Sequence, residues 1–128
     1  MKKKKNTGIT FYNPVKVKST LPISQMVVAG DFMYTWGYGA LFDKKNPRPG
    51  MKKVFEHVRA LLAEKNLTFR DVVKTTVLLA PLAYFDEYSK LYAEYFKPPH
   101  PCRTTIPVIN DRCFLEIDIV AYKKGLSD

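Results

Sequence analysis

Arg103 follows the block Lys97-Pro98-Pro99-His100-Pro101, which ends one element and starts the next. A guanidinium is planar and always charged, and it can hold both oxygens of a carboxylate at once, which a lysine does less well. Thirteen residues on, Glu116 and Asp118 stand two apart in the run Phe114 to Tyr122. In a strand that spacing puts both carboxylates on one face and Ile117 and Ile119 on the other. A carboxylate held on such a face could orient or deprotonate a water. On spacing alone the commoner reading is plainer: a surface cation, and a strand glutamate that pairs with it.

Other chemistries find less support. His57 and His100 lie far apart in sequence, and no His-Asp-Ser or His-Cys set stands out. Cys102 and Cys113 offer one potential bridge, with no CxxC and no Cys/His cluster of metal-site spacing. This cysteine usage predicts a reducing compartment, the cytosol. Gly37-Tyr38-Gly39 lacks the spacing and following helix start of a phosphate loop, and reads as a backbone turn. Tyr84, Phe85, Tyr88, Tyr92, Tyr95 and Phe96 recur at helical spacing, so they read as core and subunit contact rather than as a base-stacking platform.

The elements that must position these residues follow from periodicity. Residues 1–24 read as irregular, with Pro14 and Pro22 against long regular structure. Gln25 to Gly37 reads as two short strands about a tight turn at Gly30-Asp31. Residues 43–50 read as a polar loop, and from Met51 to about Asn66 Val54, Val58, Leu61 and Leu62 mark an amphipathic helix. A buried strand from Asp71 to Leu79 is stopped by Pro81; a second helix runs from about Tyr84 to Phe96; strands follow over 102–108 and 114–122. The order ββ-α-β-α-ββ predicts an α+β sandwich with both helices on one face of a mixed sheet. The uncovered face predicts a homo-oligomer.

Composition agrees. With 128 residues, 46% hydrophobic and 26% charged, the chain can bury one core and not two. Residues 1–20 read as a basic irregular segment, 21–124 as the domain and 125–128 as a tail. No apolar run reaches the roughly 18–20 residues that span a bilayer, so neither a secretory signal nor a membrane partner is expected. Of the net charge of +9, Lys2 to Lys5 supply four, leaving +5 for the folded body. Such a tail could touch nucleic acid, but a solvated terminus is the favoured reading.

The stretch RDVVKTTVLLAPLAYFDEYSKLYAEYF, then PCRTT, then FLEIDIVAY resembles the Rid/YjgF family, the reactive intermediate deaminases once labelled endoribonuclease L-PSP-like. The likeness covers about residues 21 to 124, and its C-terminal half is the more specific. It implies a single-domain, chorismate-mutase-like fold related to the ferredoxin-like sandwich, and a homotrimer with clefts between neighbouring subunits. It also implies hydrolysis of 2-imino or enamino acids, such as 2-aminoacrylate, to 2-keto acids and ammonia, with no cofactor and no metal. Arg103 then holds the substrate carboxylate, Glu116 positions water, and backbone groups near Thr104 and Thr105 help bind substrate.

Several positions depart from the family pattern. Ile23 stands where active members usually carry Tyr, Trp36 where Ser is common, Thr105 for a frequent Cys and Ser89 for Asn. Ile23, Trp36 and Gly37 are still expected to line the pocket, though Trp36 could equally pack in the core. Two rivals to the deaminase follow: a small-carboxylate (2-keto acid) binding trimer without turnover, and an RNA-acting protein driven by the basic charge.

Overall fold

The computed structural model describes residues 8–16, 20–108 and 114–128. Lys2 to Lys5 and Cys113 lie outside them. Its elements are β1 (Ile9–Tyr12), β2 (Met26–Ala29), β3 (Phe32–Thr35), β4 (Tyr38–Leu41), α1 (Arg48–Ala63), β5 (Val72–Ala80), α2 (Phe85–Tyr95), β6 (Cys102–Pro107) and β7 (Phe114–Tyr122). The seven strands described form one sheet in the order β1-β2-β3-β7-β5-β6, with β4 also paired to β7. Pairing is antiparallel except between β5 and β6. A parallel pair needs a crossover, and α2 supplies it.

Three sequence expectations are corrected. Ile9–Tyr12, read as irregular, pairs with β2 as an edge strand. Its four residues lack the tight turn that marks β2 and β3, and its order comes from the ladder. Tyr38–Leu41, read partly as a glycine turn, is β4, since Gly39 lies opposite Glu116 in the ladder. α1 begins at Arg48 inside the expected loop, because a proline is at home in the first helical turn.

β2 and β3 form the expected hairpin, with Gly30 at φ +60°. Both helices lie on one face. From α1, Met51, Val54, Phe55, Val58, Leu61 and Leu62 are buried, and from α2, Tyr88, Leu91 and Tyr92. They pack with Met26, Met33, Val77, Leu79, Leu115, Ile117 and Ile119 of the sheet. The period of two then sends Glu116 and Asp118 to the opposite, open face. That face also carries Phe32, Tyr34 and Tyr122, each 40 to 45% exposed, with the rings of Phe32 and Tyr122 5.2 Å apart.

Candidate functional site

Arg103 lies on β6, at the sheet edge, opposite Thr75 of β5. Thr75 is buried and shares a hydrogen bond of 2.9 Å with the Tyr92 hydroxyl, so this register faces the helices. Arg103 and Thr105 therefore point to the helix side and Thr104 to the open side. On α2, residues 85, 88, 89 and 92 fall on one stripe because of the helical repeat. The Arg103 guanidinium donates to Ser89 Oγ at 3.0 Å. Its central carbon lies 4.8, 5.2 and 5.7 Å from the ring centres of Tyr92, Phe85 and Tyr88. No carboxylate among the described residues pairs with it; the ion pairs described are Arg48–Glu94 and Arg59–Glu56. The Tyr88 hydroxyl is fully buried with no hydrogen-bond partner among the described residues, and burial pushes its pKa up. The aromatic run read as core thus also forms the bed beneath Arg103.

Glu116 belongs to a second group. It is half-buried on the open face beside Gly37, where a Cβ added to the glycine would overlap the carboxylate, with Cδ at only 2.9 Å. Burial, and then the charge of Asp118, push the Glu116 pKa up. Burial also raises Asp118, against the Thr76 hydroxyl and Lys74, which pull it down. Next in sequence to Gly37, Trp36 borders a cleft of about 410 Å³ that is also lined by Asn13, Val15, Lys16, Leu21, Ile23 and Gln25. Gln25 braces the floor: its side chain accepts from the Val15 amide at 2.8 Å and donates to the Val15 carbonyl at 2.5 Å. The Trp36 indole donates to His57 Nε2 at 2.8 Å, and the Tyr38 ring stacks on His57 at 3.7 Å. Trp36 thus both packs toward α1 and lines the cleft, which joins the two alternatives left by the sequence.

The expected site residues therefore fall into two groups. Ile23 and Trp36 meet at one cleft, and Gly37 meets Glu116. Arg103 and Glu116 do not meet within one chain, since they leave opposite faces of the sheet with β5 between their strands. Sequence reasoning missed His57, because nothing in sequence links two residues 21 apart on different elements. Among the described residues no three of His, Cys, Asp or Glu converge where they could hold a metal ion. No described helix is long and apolar enough to cross a membrane.

The profile of the family described as Endoribonuclease L-PSP matches residues 12–123. The chain belongs to this family, the Rid/YjgF proteins. It is 30% identical to the mitochondrial protein MMF1 of Saccharomyces cerevisiae, over 92% of this chain and 89% of that one. It is also 30% identical to Reactive Intermediate Deaminase A, chloroplastic, of Arabidopsis thaliana, over 68% of this chain and 50% of the relative. The crystal structure of yeast Mmf1 superposes with a TM-score of 0.74 at 26% identity, covering 91% of this chain and 99% of the other. A Streptococcus pyogenes member of the yjgF family reaches 0.76 at 22% identity, over 92% and 98% of the two chains, which speaks for the fold alone. The Rid/YjgF chain described here thus shares its fold with these proteins across nearly its whole length.

Proposed function

We propose that the protein hydrolyses 2-imino and enamino acids such as 2-aminoacrylate to 2-keto acids and ammonia, in clefts shared by the subunits of a homotrimer. The observation that carries this reading is Arg103: a half-buried guanidinium held over three rings and by Ser89, with no anion among the described residues to neutralise it. A half-buried cation without a counter-ion gives up part of its hydration, and a carboxylate ligand offsets that cost. The name of the Arabidopsis relative, a reactive intermediate deaminase, supports the substrate class. The trimer is supported by the uncovered apolar face and by the separation of Arg103 from Glu116. A neighbour's open face set against the edge of β6 would bring the two groups together.

The chemistry then runs in few steps. Arg103 clamps the carboxylate and fixes the imine carbon. Water adds to that carbon while Glu116 takes one water proton. Glu116 passes that proton to the imine nitrogen, giving the carbinolamine. Its carbon–nitrogen bond then breaks as the hydroxyl proton passes through Glu116 to the nitrogen, which leaves as ammonia carrying both water protons, and the oxygen becomes the keto oxygen. The raised pKa of Glu116 makes it a stronger base than an ordinary glutamate. We place this activity in the cytosol, on cysteine usage; Cys102 is a free thiol.

To test the reading, 2-aminoacrylate is generated enzymatically and ammonia or keto-acid release is followed with and without the protein. Acceleration by wild type and its loss in Arg103→Ala are expected; equal rates with and without protein, or in variant and wild type, would reject it. A second reading, a trimer that binds 2-keto acids without turnover, is favoured by Ile23 and Trp36, which put an aliphatic chain and an indole along the cleft. Calorimetry showing saturable keto-acid binding beside absent hydrolysis would select it.

A further inference from the structure

Trp36 is the only tryptophan of the chain. Its two roles are coupled by geometry, since the indole borders the cleft of about 410 Å³ while its N–H is tied to an imidazole on α1. An N–H can donate to Nε2 only while that nitrogen carries no proton, so the bond specifies a neutral His57 protonated on Nδ1. The stacked Tyr38 ring fixes the imidazole plane, and the rings of Trp36 and His57 lie 5.7 Å apart. We infer that His57 is a positioning residue that locks the Trp36 indole as one wall of the cleft, and that its protonation releases this wall.

The surroundings favour the neutral, bonding state. Burial lowers the His57 pKa from its ordinary value of 6.5, and no carboxylate contributes. On its own helix the charged residue one turn away is Lys53, so no anion there favours the imidazolium. From β4 the titratable group is the Tyr38 phenol. From β7 the side chains that face α1 are Leu115, Ile117 and Ile119, while Glu116 leaves the far face. At neutral pH the lock is closed, and it opens only on acidification. A released indole widens the cleft and loosens its grip on small acids.

The sole tryptophan makes the test direct. One hydrogen bond sustains a ratio of about fivefold between locked and free indole. The acrylamide quenching constant of wild type should therefore be low and flat at neutral pH and rise severalfold below pH 6.5, while far-ultraviolet circular dichroism holds steady. His57→Gln keeps a side-chain acceptor that does not titrate, so its constant should stay low throughout. His57→Phe keeps a ring against Tyr38 but no acceptor, so its constant should already be high at neutral pH. A flat wild-type profile, or the same rise in His57→Gln, overturns the inference. The consequence for turnover rests on the proposed deaminase reading: KM for a small imino acid rises in acid for wild type and not for His57→Gln. The quenching readout uses no substrate, so a failed deaminase assay leaves it intact.

Discussion

Gly37→Ala separates position from stability at the Glu116 group. Gly37 is exposed and its φ lies outside the left-handed region, so alanine fits the backbone without strain. The three atoms nearest the added Cβ all belong to Glu116: Cδ at 2.9 Å and Cγ at 3.2 Å, with the nearer carboxylate oxygen closer still. The far end of that flexible side chain must yield by roughly 1 Å, and a misplacement of that size can cost about 10²-fold in rate. Replacing glycine by alanine at a compatible site itself stabilises by about 0.4–1 kcal/mol, through the unfolded chain. The expected variant is therefore folded, with an unchanged or slightly raised Tm, and about 100-fold poorer in kcat/KM for imine hydrolysis. Thermal melts and steady-state ammonia release on the same preparation read both quantities. Wild-type kcat/KM with an intact Tm would refute the assigned position of Glu116. A Tm lowered by several degrees would show that Gly37 serves packing instead.

Other perturbations have equally definite outcomes. Arg103→Lys keeps the charge but neither forks nor stacks, so calorimetric affinity for a 2-keto acid should fall about tenfold or more; unchanged affinity would remove Arg103 as the clamp. Glu116 is shifted upward by burial and Asp118, so the acidic limb of kcat/KM should lie above the ordinary 4.5, and Asp118→Asn should move it down. The sign for stability is the reverse of an ion-paired carboxylate: the folded state holds the proton more tightly, so this contribution is full below 4.5 and is lost as pH rises through the folded value. Glu116→Gln should then raise Tm at pH 7 relative to pH 4; a lowered Tm at pH 7 would contradict the sign. Tyr92→Phe leaves the buried Thr75 hydroxyl unpaired and should cost about 1–3 kcal/mol in urea melts, with keto-acid affinity retained because the ring beneath Arg103 stays.

The sequence made the helices and long strands legible because each carries many periodic residues. β7 showed its two faces through Ile117 and Ile119 against Glu116 and Asp118, and α1 showed its stripe through Val54, Val58, Leu61 and Leu62. β2 and β3 are as short but were marked by the turn at Gly30-Asp31; β1 and β4 have no such turn to join them into a hairpin, and Phe11, 66% exposed, looks like a loop residue until it pairs with Val27. Arg103 and Glu116 could each be picked out by type, and the resemblance gave them roles. Their opposite faces were not legible, because alternation fixes sides within a strand and not between strands. That relation depends on the registers Thr75–Arg103 and Leu78–Glu116 along β5, which only the assembled sheet sets. The Trp36–His57 bond was hidden for the same reason.

A cleft built from two chains can be rebuilt from two broken ones. If Arg103 of one protomer serves with Glu116 of its neighbour, inactive Arg103→Ala and Glu116→Gln chains should complement each other when co-expressed. Random mixing in equal amounts restores about one quarter of the clefts in a symmetric trimer, and about one quarter of wild-type imine hydrolysis should return. Mixed oligomers no more active than either variant alone would contradict the shared cleft.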